Sequence, residues 1–127
     1  MTDRTANRDV IATWVAALRS GRYRQGRGGL RGEDVVGPRH CCLGVLCELA
    51  VDAGIAQRAG NLYGVRRDDE GYVQFQGAYL PSVVVAWAGL PGGDPYVVHD
   101  DRASKLNDVE HWSFADIADA LERRYLS

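Results

Sequence analysis

The chain opens with apolar positions at helical spacing. Val10, Ile11, Trp14, Val15 and Leu18 recur every three or four residues, Asn7 stands where a cap is needed, and Gly21 follows. This predicts an amphipathic helix over 7–20 with one buried face. The period is then lost. Over 21–39, glycines at 21, 26, 28, 29, 32 and 37 interleave with arginines, which predicts a loop or a short, weak strand. Apolar character returns over 41–53, where Cys42, Val45, Leu46, Leu49 and Ala50 leave only Glu48 and Asp52 clearly polar. A helix apolar nearly all round belongs at the centre of a fold. Gly54 followed by Ile55 fits a glycine end with an apolar residue behind it.

The second half reads in shorter pieces. Two alternating runs, Leu62 to Arg66 and Tyr72 to Gln76, flank Asp68-Asp69-Glu70-Gly71 and predict a hairpin over 62–77. Pro81 suits the first turn of a short helix through Val83, Val84 and Trp87, stopped by Gly89. A Pro/Gly loop over 91–98 and a helical turn over 101–106 follow. Ser113, with Asp116 three residues on, resembles a capping box and opens a last helix bearing Phe114, Ile117, Ala118, Leu121 and Tyr125 on one side. These elements predict one α+β domain over 1–127: about four helices around the Cys42 to Ala50 helix, with a hairpin on one side.

Composition narrows the function. A chain of 127 residues fits one domain, and 46% hydrophobic with 25% charged residues supports a real core. A net charge of -2 argues against a generic nucleic-acid coat. The charge is uneven: Arg19, Arg22, Arg24, Arg27 and Arg31 fall in one stretch with no acid among them, and Lys105 is the only lysine. No apolar run approaches the roughly 20 residues of a membrane span, and the N-terminus lacks an apolar signal segment, so a cytosolic protein without membrane contact is expected. Three cysteines, two of them adjacent, do not suggest a disulfide framework.

Candidate chemistry gathers at Arg39-His40-Cys41-Cys42-Leu43-Gly44-Val45-Leu46-Cys47. A thiol at a helix start feels the positive end of the macrodipole, which favours thiolate. Cys41, beside His40 and paired with His99 or His111, oriented by Asn107 or Asp108, would make a cysteine-dependent hydrolase, although His40 itself is poorly placed to deprotonate its neighbour. The competing reading is that buried cysteines pack as small hydrophobes. Zinc is not expected: His40, Cys41, Cys42 and Cys47 lack the paired spacing and a second pair. Nor is any other cofactor, because Gly26-Arg27-Gly28-Gly29 matches neither a P-loop nor a dinucleotide fingerprint. The Gly/Arg segment does suit an anion. Tyr23, Arg24, Gln25 and Arg27 precede a helix whose start at Cys41 can face a phosphate. Tyr23 or Trp87 would stack on a base, Asn107 read a base edge and Asp108 hold a ribose hydroxyl. The competing reading is a solvated arginine loop, with Asn107-Asp108 a simple turn.

Several segments resemble a family of small, largely uncharacterised bacteriophage proteins, mostly from phages of actinobacteria. They are Gly21 to Gly26, the Cys41 to Ala50 helix, Leu80-Pro81 with Trp87 to Leu90, Leu106-Asn107-Asp108, and Ser113 to Ala118. The resemblance supplies no catalytic residue. It implies a small cytosolic protein made during infection, of a kind that often counters host defence by binding or destroying a nucleotide signal. The leading expectation is therefore a protein that sequesters a small anionic, nucleotide-derived ligand without chemistry, through Tyr23, Arg24, Gln25, Arg27, Cys41, Trp87, Asn107 and Asp108. The alternatives are a hydrolase using Cys41 and Asp108, and an inhibitor whose terminal helix packs on a host protein or a second copy of itself.

Overall fold

A computed structural model describes residues 6–67 and 72–127, apart from the side chains of residues 66, 67 and 72–74. The acidic turn expected at Asp68 to Gly71 lies outside them. Helix α1 (Arg8–Arg19) begins at Asn7, whose side chain accepts from the Val10 N–H, and buries the five predicted apolar residues. The glycine-arginine region is more ordered than its composition suggests. Strands β1 (Arg31–Asp34) and β2 (Gly37–His40) pair antiparallel, with Arg31 opposite His40. Residue Gln25 bridges His40 on the other side of β2.

Helix α2 (Cys42–Asp52) is the centre, as its composition requires. Cys42 to Cys47 and Ala50 are buried; Glu48 and Leu49 are half-buried. It ends as the Gly54-Ile55 pair predicts. Gly54 takes φ +76, its N–H reaches Val51 O, and the Ile55 N–H reaches Ala50 O at 2.8 Å, the two bonds of a Schellman end. The sheet that follows has order β3 (Gln57–Ala59), β4 (Leu62–Arg67), β5 (Tyr72–Gln76), all antiparallel. The predicted hairpin is its last two strands.

Pro81 stands at the cap position of α3 (Ser82–Ala88), and Gly89 closes it in the left-handed conformation. The expected Pro/Gly loop contains β6 (Tyr96–Val98), which pairs with β7 (Asp101–Arg102). The helical turn sits two residues later than its pattern suggested, as α4 (Ala103–Asp108). Helix α5 (Phe114–Tyr125) starts at Ser113, which accepts from the Asp116 N–H, and buries Phe114, Ile117, Ala118, Leu121 and Tyr125. It packs along α1. Arg19 joins Asp119 and Glu122 across the pair, and Arg8 donates to the Leu126 carbonyl at 2.7 Å. The apolar face of the terminal helix therefore closes the protein's own core. Among the described residues no helix is long and apolar enough to cross a membrane.

Candidate functional site

The start of α2 was expected to be open to a ligand, and it is closed. The N–H of Cys41 donates to Leu30 O at 3.3 Å, and the N–H of Cys42 donates to Asn107 Oδ1 at 3.2 Å. Gly44 lies so close to Leu30 that a Cβ there would stand 1.8 Å from its carbonyl oxygen. The free N–H groups of a helix start are obligatory donors, and the chain itself supplies the acceptor of the first one, at Cys42.

The same burial reverses the thiol argument. Cys41 is 3% exposed. Burial pushes its thiol up to about 11, although the Gly44 and Leu43 N–H groups favour thiolate. Desolvation of the charged form outweighs the helix start. Burial also raises Cys42 and Cys47. No group of three or more metal-binding side chains occurs among the described residues.

Asn107 is a buried junction rather than a base reader. Its Oδ1 accepts from Gln25 Nε2 at 2.9 Å as well as from Cys42, and its Nδ2 donates to Gly26 O and to Asp108 Oδ1, both at 2.8 Å. Both donors and both acceptor positions of the amide are thus filled from within the chain. Gln25 also donates to Trp112 O. Tyr23 packs edge-on against His40, with ring centroids 5.6 Å apart. Arg24 Nη2 bonds Asp34 Oδ1 at 2.7 Å and Gly37 O at 2.9 Å, pinning the turn of the β1–β2 hairpin. Trp87 lines a different cleft, between α1, α2 and α3.

Of the expected ligand residues, Arg27 alone lines the one cavity among those described that is lined by arginines with no lining acid. That cavity has a volume of about 200 Å³ and is walled by Arg27, Arg31, Arg39 and the backbone at Gly26, Gly28, Gly29 and Gly32. The close approach has a local cause. The N–H of Gly26 donates to His40 O at 2.7 Å, and a Cβ on Gly26 would meet Arg39 Cβ at 3.1 Å. A side chain at position 26 would force Arg39 to give way by a few tenths of an ångström. Arg27 is held by one bond, from Nε to Asn107 O at 3.1 Å. Arg31 is paired with Glu33 and Asn61, both at 2.8 Å. Among the described residues Arg39 has only a long contact with Asp34, 3.9 Å. Two arginines thus keep most of their donors, and the third is fixed.

The structure does not bring the expected set of Tyr23, Arg24, Gln25, Cys41, Trp87, Asn107 and Asp108 together with Arg27 around one cavity. Tyr23, Arg24, Gln25, Cys41, Asn107 and Asp108 bond or pack within the chain, and Trp87 lines the other cleft. Arg39 went unseen because β2 went unseen. Side chains alternate along a strand, so Arg39 and His40 point to opposite faces. A second polar cluster was also missed. His40 is buried; among the described residues its ring nitrogens have no hydrogen-bond partner, and Nε2 stands 3.8 Å from Glu48 Oε2. Glu48 also accepts from the Tyr63 hydroxyl at 2.5 Å and lies 3.5 Å from Arg58 Nε. His40 first, then Tyr63 and Arg58, hold its carboxyl below the usual range, against partial burial.

The whole folded unit corresponds to one family. A family model described as a domain of unknown function (DUF8296) matches residues 6–125. The chain belongs to this family. The match spans every helix from α1 to α5, so the Gly/Arg cavity and the Asn107 junction both fall inside the family's domain. No curated protein and no solved structure matches the chain.

Proposed function

We propose that this DUF8296 protein binds a small anionic ligand in the Gly/Arg cavity and holds it without chemistry. The observation that carries the reading is the cavity lining: three arginines and glycine backbone, with no carboxylate among the described lining residues. Guanidinium forks match phosphate oxygens, and glycine lets backbone amides approach. A volume of about 200 Å³ admits a phosphate or diphosphate group and leaves a nucleoside outside. The resemblance to phage proteins supplies the context: a cytosolic protein that sequesters a nucleotide-derived signal of host defence. Binding is favoured over hydrolysis because burial raises all three thiols, so Cys41 is a poor nucleophile at neutral pH. The inhibitor reading draws on one observation, the tip of the β1–β2 hairpin, where Val35 and Val36 are exposed.

Isothermal titration with inorganic pyrophosphate, ADP and adenosine tests the assignment. Pyrophosphate and ADP are expected to bind, less tightly as salt rises, and adenosine is not. Arg27→Ala and Arg39→Ala should each weaken ADP by about ten- to hundredfold, the loss of one charge-assisted contact. ADP should be recovered intact after denaturation. Adenosine binding as tightly as ADP, or wild-type affinity in both variants, removes the cavity as an anion site. ADP recovered as product restores the hydrolase reading.

A further inference from the structure

The largest described cavity is not the Gly/Arg one. It is a cleft of about 370 Å³ between α1, α2 and α3. Val10, Leu49 and Trp87 form its apolar floor, and Asp9, Thr13 and Asp52 stand at the rim. Its walls are tied together: the Asn7 N–H donates to Ala88 O at 2.9 Å, and Asn7 Nδ2 donates to Trp87 O at 3.3 Å. The start of α1 and the end of α3 therefore hold one geometry.

Among the described lining residues the charge at this cleft is all of one sign. Neither Asp9 nor Asp52 has an ion-pair partner among the described residues, and no cation is among the lining residues. Arg8, the neighbour of Asp9, turns instead to the carbonyls of Tyr125 and Leu126. Asp52 is also the last residue of α2. A carboxylate there faces the negative end of the macrodipole and is unfavourable for the helix. A residue that opposes its local rule, without a compensating partner in the fold, is the kind of residue a binding site retains.

We propose that this cleft binds a small organic cation, a primary ammonium carried on an apolar body. The apolar part would lie on Leu49, Val10 and the indole of Trp87. The ammonium would sit between the Asp9 and Asp52 carboxylates, beside the negative end of α2. An indole face attracts a cation, and the two carboxylates add charge complementarity. A volume of about 370 Å³ suits a compact single-ring amine. The site shares no lining residue with the Gly/Arg cavity, so neither assignment depends on the other.

The probes are phenethylammonium and its neutral counterpart 2-phenylethanol. The readout is the indole N–H resonance of Trp87 in a proton–nitrogen correlation spectrum, assigned with Trp87→Phe. Phenethylammonium should move that resonance saturably and leave those of Trp14 and Trp112 in place. 2-Phenylethanol should bind at least about fivefold more weakly, and Asp9→Asn and Asp52→Asn should each erode that preference. Asp52→Asn should melt at or above the wild-type temperature, because it removes a carboxylate from a helix C-terminus, so loss of binding in it is not loss of fold. Equal binding of both probes, no saturable shift, or full preference in both variants overturns the proposal. A lysine-containing hexapeptide that binds more tightly than the amine assigns the cleft to a protein segment instead. A Trp87 shift that follows protein concentration without any amine assigns it to a second copy of the chain.

Discussion

At the scale of single residues, Asn107 bears the most structure. It is fully buried, and its amide links the loop at Gly26, the side chains of Gln25 and Asp108, and the first N–H of α2. Buried polar groups are stabilising when every member has a partner and costly when one is lost. Asn107→Ala leaves the Cys42 N–H and the Gly26 carbonyl without their partner. It should lower stability by about 3 kcal/mol in a denaturant titration. The Arg27 contact uses the backbone carbonyl of residue 107, which alanine retains. Affinity for ADP, measured below the unfolding transition, should therefore stay within about twofold of wild type. A tenfold loss of affinity without loss of stability would return Asn107 to the ligand. The neighbouring Asp34 shows a surface version of the same logic. Arg24, and the Val36 N–H after it, hold its exposed carboxyl at about 2, which marks a hairpin turn fixed by local bonds.

At the scale of elements, the contact that decides the site is α2 against the segment leading into β1. Leu30 is buried, donates to Gly77 O at 2.7 Å, accepts from the Cys41 N–H, and presses its carbonyl onto Gly44. The glycine loop over 26–32 is thereby clamped between α2 and the residues that follow β5. In a helix interior glycine costs about 1 kcal/mol relative to alanine. At position 44 that cost is outweighed by the close approach, because an added Cβ would lie 1.8 Å from Leu30 O and 2.7 Å from Leu30 C, both backbone atoms. Gly44→Ala should therefore destabilise by about 3 kcal/mol or more, despite the better helix propensity of alanine. Urea titration checks it, and a stability equal to or above wild type would show that α2 and Leu30 are not in this contact.

At the scale of the whole molecule, the cysteines report on the fold rather than on chemistry. All three thiols are buried, and burial raises Cys41 from an ordinary value near 9 to about 11. A group whose folded value is raised binds more protons in the folded state at alkaline pH. Its contribution is complete below about 9 and is lost as pH rises toward the folded value. Cys42 and Cys47, raised by the same cause, extend the effect in the same direction. Unfolding free energy should therefore fall as pH rises above about 9, and fall less steeply in Cys41→Ala. Thiol labelling at neutral pH should follow global unfolding, with no fast stoichiometric phase. Rapid labelling of Cys41 in the native protein would sink both the closed start of α2 and the preference for binding over hydrolysis.

What the sequence determined by itself was local. Helix α1, the Schellman end of α2 and the Ser113 start of α5 were legible because caps and 3.6-residue periods act over a few neighbouring positions. The central place of α2 was legible too, since a helix with almost no polar face has only one place to go. The short β1–β2 hairpin was not. Its strands read Arg31-Gly32-Glu33-Asp34 and Gly37-Pro38-Arg39-His40, with no apolar alternation to signal them. They are held by long-range backbone bonds: His40 donates to Arg24 O and accepts from the Gly26 N–H, and Leu30 accepts from the Cys41 N–H. Without β2, Arg39 had no reason to be placed beside Arg27 and Arg31. The role of Asn107 was equally out of reach, because its partners Cys42 and Gln25 lie 65 and 82 positions away. Whether a polar group meets a ligand or the chain itself is set by burial, and burial is a property of long-range packing. The residue types announced a thiol at a helix start and arginines near glycine; tertiary structure covered the first and left the second open.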